Sequence, residues 1–421
     1  MKLSPTSVST IEMQKAVTVP FNADNADNVD ILHSAKNSTS ATENLTASDF
    51  IEADFEKRLA LFLPAMYGGG AERIMLNLAQ GIASRGFKVD LVVGISDGPL
   101  LEQVPQCVNL VELGASRSIY ALPALIKYLR RVKPYAMLTA LNRVNLMAIW
   151  AKRLTGYPTR LVVTEHNTLS VGTKNTKMLR EKAYPMLANI FYPWADGIVG
   201  VSQGVSDDLA KTARIKRERI QVIYNPVITD EMRKKAAAPL KHPWVQPGEP
   251  PVILAIGRLS EQKNFSLLLN AFSILRKQQP VRLIILGEGP LRAELEAQIN
   301  SLNITEDISL PGWVENPYAY MMHTDALVLS SSWEGLPTVL IEALYCQTNI
   351  ISTDCPNGPQ EVLAKGKYGQ IVPMNDADAL AQAMEKAISG NAPRPTDDSY
   401  APYEMDTVVN QYVNIMLHGS A

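Results

Sequence analysis

Cysteine is scarce in this sequence, and its spacing follows no pattern. Only three cysteines occur in 421 residues, at Cys107, Cys346 and Cys355. An odd number of separated cysteines argues against a disulfide framework, and none of them has the spacing of zinc ligands. We therefore expect a protein that works in a reducing compartment.

Long apolar runs are also missing. No window approaches 18 uncharged apolar residues, so the sequence predicts no membrane-spanning helix. The N-terminal residues lack the basic and then apolar pattern of a signal peptide. Together these absences predict a cytoplasmic protein.

The chain has little net charge, −2, and this argues against nucleic acid as its main partner. The small total nevertheless hides an uneven distribution. Lys plus Arg and Asp plus Glu number 3 and 8 in residues 1–55, 26 and 14 in residues 56–236, and 11 and 20 in residues 237–421. The basic middle segment is the part that we expect to meet something anionic, although chance variation in surface charge would look similar.

Composition and periodicity divide the chain into five parts. The first is rich in Ser, Thr, Asn, Ala and Asp and has little to bury. Two long parts alternate apolar runs with helical periodicity, and the segment between them has four prolines. The predicted parts are a disordered polar tail (1–55), an N-terminal α/β domain (56–228), a linker (229–250), a C-terminal α/β domain (251–395) and a last segment with an amphipathic helix (396–421).

The start of the N-terminal domain illustrates the alternation. The run RLALFLP (58–64) predicts a buried strand, a glycine turn and a helical segment follow, and KVDLVVG (88–94) predicts the next strand. This order is typical of a βαβ unit, and it recurs in both long parts. We therefore predict two doubly wound parallel sheets. Ligands of such sheets bind beyond the carboxyl ends of the strands, so two such edges are expected to face each other across a cleft.

Two loops at predicted strand ends have residues suited to phosphate. Three glycines, 68–70, open a helix, whose N-terminus attracts anions. Their spacing is not that of dinucleotide binders, so a simple tight turn explains them equally well. Arg258 and Lys263 follow a buried strand in IGRLSEQKN (256–264), where two cations can neutralise a diphosphate or simply be solvated.

Two further features add groups that can bind a sugar. His166 ends a strand in TEHN (164–167), a place typical of a site, although a lone histidine is more often a structural hydrogen-bonding residue. In SSSWEGLPTVLIEAL (330–344), Glu334 precedes a helix and Glu342 lies inside it. A purely structural interpretation fits Glu334 but leaves an unpaired acid in the apolar run VLIEAL, which would be costly.

At this point the chain resembles the retaining nucleotide-sugar glycosyltransferases of family 4, which have the GT-B fold of two Rossmann-like domains. The resemblance covers about residues 58–390 and is stronger in the second half. It depends on GRLSEQKN, LGEGP (286–290), PGWVENPYAYM (311–321) and SSSWEGLPTVLIEAL, together with YGGGAERIMLNLA, TEHN and VGVSQGVSDDL in the family's order.

The resemblance implies roles for the site residues. Arg258 and Lys263 hold the donor diphosphate, Glu342 binds the ribose and Glu334 contacts the donor sugar. His166 contacts the sugar near the reacting centre and completes the catalytic set. The remaining donor-binding residues that it implies are Gly69 and Gly70 near the phosphates, Gly287, Gly289, Trp313 and Val314 near the base, and Gly335, Leu336, Pro337 and Thr338 beside the sugar.

The resemblance also implies how the reaction proceeds. The acceptor attacks from the face that the leaving group occupies, and a phosphate oxygen takes its proton. No metal or other cofactor is expected, because no DxD motif ends a strand and the cations and helix dipole stabilise the diphosphate. One departure is NPV (225–227), where the family often has Asn-Gly, so no role is assigned to Asn225.

The expected partners are a UDP- or GDP-sugar and a glycan or lipid-linked acceptor in polysaccharide, lipopolysaccharide or glycolipid biosynthesis. Cations and aromatic residues mix in YLRRVKP (128–134) and in KNTKMLREKAYPMLANIFYPW (174–194), which favours contact with the anionic inner face of the cytoplasmic membrane, or a solvated basic face. The alternatives are a nucleotide-sugar epimerase of the same fold, a non-catalytic sugar-nucleotide-binding regulator and, least favoured, a nicotinamide oxidoreductase.

Overall fold

The computed structural model describes residues 52–67, 69–116, 120–170 and 179–419. The strands are β1 (Arg58–Leu63), β2 (Lys88–Val93), β3 (Asn109–Glu112), β4 (Ala136–Ala140), β5 (Arg160–Glu165), β6 (Gly197–Gly200), β7 (Ile220–Val222), β8 (Val252–Ile256), β9 (Arg282–Leu286), β10 (Ile308–Gly312), β11 (Ala326–Leu329), β12 (Asn349–Thr353) and β13 (Gln370–Val372). The helices are α1 (Glu52–Phe55), α2 (Gly70–Ala83), α3 (Ala121–Val132), α4 (Asn142–Thr155), α5 (Leu179–Lys182), α6 (Tyr184–Phe191), α7 (Gln203–Thr212), α8 (Asp230–Ala236), α9 (Phe265–Gln278), α10 (Arg292–Leu302), α11 (Pro317–His323), α12 (Thr338–Tyr345), α13 (Pro359–Val362), α14 (Ala377–Ile388) and α15 (Met405–His418).

The strands form two sheets, and every pairing in them is parallel. The N-terminal sheet has the order β3-β2-β1-β4-β5-β6-β7, and the C-terminal sheet has the order β10-β9-β8-β11-β12-β13. The strand order reverses between β1 and β4 and again between β8 and β11, and ligands of such sheets bind at these switch points. The predicted fold of two doubly wound α/β domains is confirmed.

Burial explains why these runs form strands. Leu59 to Leu63 of β1 are fully buried, because helices cover both faces of the sheet. Leu59, Leu61 and Leu63 join one hydrophobic cluster and Ala60 and Phe62 join another, as the alternation of side chains along a strand requires. The C-terminal sheet is enclosed in the same way by two further clusters.

The last helix, α15, packs onto the N-terminal domain although it follows the C-terminal one. Its Val409 and Tyr412 are fully buried in the same cluster as β1, and Arg85, in the turn after α2, donates to Asp406 and Asn410. The chain is also tied at the crossing, since Tyr403 O accepts from two backbone N–H groups, those of residues 227 and 228. The C-terminal segment therefore connects both domains.

Several elements differ from the sequence predictions. The linker contains α8, because Thr229 caps it and its buried face, Met232 and Ala236, joins a C-terminal-domain cluster. Strands β3 and β13 were not predicted, since one lies at a half-exposed sheet edge and the other has three residues. The predicted tail lies outside the described residues except for its last four, the short helix α1. In the described ranges, no helix is long and apolar enough to cross a bilayer.

Candidate active site

Lys263 and Glu334 lie in the loops that follow two neighbouring strands, β8 and β11, and form a largely buried ion pair. The Lys263 Nζ lies 2.7 Å from Glu334 Oε1, and their side chains are 18% and 8% exposed. Ser331 Oγ donates to the same carboxylate oxygen at 2.6 Å. Gln262 Nε2 braces the loop by donating to Trp333 O at 2.9 Å. The pair fixes one cation and one acid at the carboxyl ends of β8 and β11.

The turn after β8 explains how Lys263 reaches this position. A short 3₁₀ turn ends at Lys263, and Asn264 adopts a left-handed conformation, φ 47°, before α9 begins. A Cβ at Gly257 would lie 3.0 Å from Lys263 Cε, so glycine leaves room for the lysine stem over the strand end. Arg258 lies in the same loop. Its side chain is exposed and has no hydrogen bond or ion pair with any residue that the structure describes.

Glu342 is the fifth residue of α12 and is partly buried. Its carboxylate has no hydrogen bond or ion pair with the described residues. Burial raises its pKa from 4.5 to about 7, and the charge of Lys263 opposes that shift. Tyr318 lies beside it: burial raises the pKa of Tyr318, and the charge of Glu342 adds to this. Among the described residues, the site therefore has an unpaired acid within electrostatic range of the buried lysine.

The two domains meet beside the ion pair. A Cβ at Gly335 would lie 3.1 Å from the carbonyl oxygen of His166, which directly follows β5 of the other domain. Asn357 Nδ2, in the loop after β12, donates to Thr168 Oγ1 at 2.9 Å, so a second loop of the C-terminal domain contacts the turn after β5. The structure thus brings the TEHN turn against the loop of Glu334.

The imidazole of His166 lies at this junction. Its Nε2 is 3.1 Å from Thr164 Oγ1, while its Nδ1 is buried and has no hydrogen-bond partner in the described part of the chain. Desolvation lowers its pKa to about 4, so the ring is neutral near pH 7. Because the unused nitrogen has no contact with solvent in this structure, its hydrogen bond to a sugar hydroxyl stays a prediction.

The glycine turn of the N-terminal domain follows β1 and begins α2. Gly69 N donates to the Glu72 carboxylate, which satisfies one N–H group at the start of α2. Gly70 is exposed, and a Cβ added there would meet no described atom within 4 Å. The charge of Arg73, in the first turn of α2, acts on Tyr318 in the other domain. Gly68 lies outside the described residues.

Two of the four residues predicted near the base, Gly287 and Gly289, are explained by close packing between loops. Gly287 has φ +137°, and its Cβ would lie 2.0 Å from Gly257 O. A Cβ at Gly289 would lie 2.3 Å from Leu259 O, so both glycines let two loops pack closely. Trp313 is 74% exposed, whereas Val314 packs against a C-terminal-domain cluster. Their contact with a base stays a prediction.

The residues between the two acids shape the start of α12. Pro337 precedes its first residue, Thr338, and none of the described side chains caps the helix. Leu336 packs against the apolar cluster of the C-terminal domain. The first N–H groups of a helix have no partner within it, so the uncapped start of α12 is suited to an anion or a sugar oxygen.

Sequence reasoning missed a buried polar network below His166. Glu165 Oε1 accepts from Tyr184 at 3.0 Å, from Asn145 at 3.2 Å and from Tyr192. Glu165 Oε2 is buried without a partner among the described residues, and burial raises the pKa of this carboxyl group to about 7. The network connects β5 to α4 and α6 and holds the strand end from which His166 projects. The only signal in the sequence was an acid in an apolar strand.

No group of three or more His, Cys, Asp or Glu side chains suited to a metal occurs in the ranges that the structure describes. A substrate phosphate can supply further metal ligands, so the expectation that the reaction needs no metal stays a prediction.

Comparison with known proteins gives two family matches that together span most of the chain. Residues 68–231 match the model described as Glycosyltransferase Family 4, and residues 239–403 match the one described as Glycosyl transferases group 1. Both matches contain residues of the site described above. The predicted family resemblance is confirmed.

Curated relatives match over nearly their whole length. The N-acetylgalactosamine-N,N'-diacetylbacillosaminyl-diphospho-undecaprenol 4-alpha-N-acetylgalactosaminyltransferase of Campylobacter jejuni is 30% identical over 341 residues, which cover 78% of this chain and 89% of the relative. The lipopolysaccharide core biosynthesis glycosyltransferase LpsE of Rhizobium meliloti is 26% identical over 336 residues, 77% of this chain and 87% of the relative.

A solved structure supports the fold independently. The Anabaena protein HepE, in complex with UDP-glucose, superimposes with a TM-score of 0.66 at 18% identity, over 86% of this chain and 99% of HepE. At that identity the likeness shows the fold, the GT-B arrangement of two Rossmann-like domains.

Proposed function

The chain belongs to glycosyltransferase family 4, and from that premise we propose that it transfers a sugar from a UDP-sugar to a lipid-linked glycan with retention of the anomeric configuration. The observation that carries the proposal is the constellation at the C-terminal-domain edge of the cleft. There, Lys263 is held by Glu334, while Arg258 and Glu342 have no partner among the described residues. Two cations and an unpaired acid suit a diphosphate joined to a ribose diol.

The choice of donor depends on charge and on the structural neighbour. Arg258 and Lys263 offer the positive charge that a diphosphate requires, and the uncapped start of α12 adds N–H donors. UDP is favoured over GDP because HepE was solved with UDP-glucose. Glu342 is assigned to the ribose, because a carboxylate can accept from two adjacent hydroxyl groups.

The choice of acceptor depends on the relatives. The Campylobacter relative is named for an undecaprenol diphosphate acceptor, and the Rhizobium relative is named for lipopolysaccharide core biosynthesis. From these two relatives we infer that the acceptor is a glycan on a lipid carrier. The reaction would then take place at the inner face of the cytoplasmic membrane.

The proposed chemistry follows from where charge develops. The bond between the anomeric carbon and the diphosphate oxygen breaks, and its electron pair stays on the diphosphate, which Arg258 and Lys263 stabilise. The acceptor oxygen forms its bond to the anomeric carbon on the same face, and its proton passes to the departing phosphate oxygen. Neutral His166 orients the sugar from the opposite domain. Glu334, already bound to Lys263, positions the sugar hydroxyls rather than attacking the carbon.

A donor screen tests the proposal. UDP-, GDP- and ADP-sugars are added to the purified protein, and the shift in the unfolding midpoint is measured. We expect UDP-sugars to stabilise the parent, Arg258→Ala and Glu342→Ala to lose most of that shift, and Arg394→Ala to keep it, because Arg394 is equally exposed but lies elsewhere on the C-terminal domain. Equal stabilisation of all four proteins would contradict the assigned donor site.

Product analysis separates transfer from the alternatives. Incubation with the donor and a lipid-linked glycan extract is followed by NMR of the new linkage, which should keep the donor's anomeric configuration and form equally well in EDTA. Conversion of the donor to an isomeric sugar without any acceptor would show an epimerase instead. An inverted linkage would refute the retaining mechanism alone.

A further inference from the structure

One face of the N-terminal domain concentrates exposed apolar side chains. Eleven large hydrophobic residues are exposed in the described ranges, and five of them lie on α4, α6 and the turn after α6. Met186 and Leu154 are the most exposed of the five, at 63% and 59%. Such a concentration on one face marks an interaction surface. We call these five residues the aromatic face: Trp150, Leu154, Met186, Ile190 and Trp194.

The members of the aromatic face are linked by packed rings. Trp150 and Phe191 lie edge to face with ring centroids 5.5 Å apart, and Phe191 and Trp194 do the same at 5.0 Å. On α4 and on α6 the exposed residues are four positions apart, so each pair projects from one side of its helix. The two helices pack against each other. The exposed side chains therefore form one surface and are not scattered.

Positive charge surrounds this surface. Residues 120–194 of the sequence include twelve Lys or Arg and only two Asp or Glu. The guanidinium of Arg153 lies over the Trp194 ring, 5.3 Å from its centroid, and Arg130 Nη2 donates to Leu154 O at 3.3 Å. Lys127 and Arg131 of α3 are also exposed. Cations therefore rim the apolar side chains.

Neither acid in this stretch neutralises the rim. Glu165 is 1% exposed, within the polar network below His166, and Glu181 is 2.9 Å from Arg143. A second copy of the chain docked symmetrically would bring two cationic rims together, which costs free energy. The cationic rim and the apolar side chains instead complement a surface whose outer layer is anionic and whose inner layer is apolar.

We propose that the aromatic face and its cationic rim dock on the anionic lipid surface of a bilayer. Tryptophan side chains prefer the interface between headgroups and acyl chains, Met186, Leu154 and Ile190 enter the acyl boundary, and the cations contact lipid phosphates. This inference deepens the proposed function and rests on it, because a lipid-linked acceptor would then reach the cleft along the same surface.

Vesicle co-sedimentation of the full chain tests the docking directly. Vesicles of phosphatidylcholine alone are compared with vesicles that also contain phosphatidylglycerol. We expect binding to the anionic vesicles at least tenfold tighter than to the neutral ones, and weaker as salt is added. Met186→Glu/Ile190→Glu should lower that affinity at least tenfold. The matched control, Met322→Glu/Met374→Glu, changes two exposed methionines of the other domain and should bind like the parent.

Cation variants test the second half of the surface. Lys127→Gln/Arg131→Gln should weaken binding to the anionic vesicles several-fold and leave binding to neutral vesicles unchanged, whereas Lys277→Gln, an exposed lysine of the C-terminal domain, should have no effect. Equal binding by the parent and the aromatic-face variant would overturn the proposal. A parent that is dimeric by light scattering, with a monomeric Met186→Glu/Ile190→Glu variant, would show a surface between copies instead.

A parallel measurement separates this proposal from the proposed function. The aromatic-face variant should keep its thermal stabilisation by UDP, because Arg258, Lys263 and Glu342, which are assigned to the diphosphate and the ribose, lie in the other domain. Absence of vesicle binding by the parent with UDP stabilisation intact would refute the docking alone. Vesicle binding without any UDP stabilisation would refute the donor site alone.

Discussion

The substitution Glu342→Gln should make the ligand-free protein more stable and the donor complex weaker. Burial raises the pKa of Glu342 from 4.5 to about 7, so the folded protein favours the neutral acid. The contribution of Glu342 to the free energy of unfolding is therefore fully present below pH 4.5 and is lost as the pH rises through 7. The pKa values of the folded and unfolded states differ by about 2.5, and each pKa unit corresponds to about 1.4 kcal/mol, so the free energy of unfolding falls by about 3.4 kcal/mol. Because Glu342 is partly exposed, we expect a smaller loss of about 1–3 kcal/mol.

The ligand responds in the opposite direction. A carboxylate accepts both ribose hydroxyl hydrogen bonds, whereas a glutamine oxygen is neutral and accepts less strongly, so the affinity for a UDP-sugar should fall by about 10-fold or more. Since only the ionised acid binds the diol well, the parent's affinity should rise with pH up to about 7 and then level off. The glutamine variant should show no such dependence.

Urea unfolding at pH 8 and pH 4.5, with calorimetric titration of the UDP-sugar, measures both effects. We expect a gain in the free energy of unfolding of about 1–3 kcal/mol at pH 8 and little change at pH 4.5. Glu385→Gln, an exposed acid on α14, is the matched control and should change neither quantity. A Glu342→Gln protein that is less stable at pH 8, or that binds the donor like the parent, would refute the assignment.

Three further substitutions test other contacts. Lys263→Met leaves Glu334 buried without its cation and should lower the free energy of unfolding by about 3 kcal/mol. The double variant Lys263→Met/Glu334→Gln should recover much of this loss, and urea unfolding that shows no recovery would contradict a coupled pair. Gly335→Val meets the carbonyl of His166 and should reduce kcat at least tenfold, while UDP affinity by calorimetry changes less; an unaltered kcat would contradict the interdomain contact. Glu165→Ala should cost about 2–4 kcal/mol in urea unfolding and Glu165→Gln less than about 1 kcal/mol, and equal losses would argue against the hydrogen-bond network.

The sequence predicted most of the fold because strands buried on both faces read as short apolar runs. Strands β1 and β2 were found in this way, whereas β3 and β13 were missed because their residues are partly exposed and few. Helix α8 was missed because its apolar face has only Met232 and Ala236, and because four prolines follow it in the linker. A seven-residue helix offers too few turns for periodicity to be recognised.

The site was predicted in part, for a related reason. Loops after buried strands identify residues at one sheet edge, so Lys263, Glu334 and Glu342 could be grouped from the sequence. The contact of Gly335 with the His166 carbonyl depends on how two domains meet, which no local pattern encodes. The Glu165 network likewise joins residues from separate elements, and only tertiary packing brings them together.

A crystal structure of the protein with a UDP-sugar tests the central claim most directly. The account predicts the diphosphate within about 2.7–3.2 Å of Lys263 Nζ and the Arg258 guanidinium, with the ribose hydroxyls on the Glu342 carboxylate. A nucleotide bound with its diphosphate away from both cations, or with its ribose away from Glu342, would contradict it.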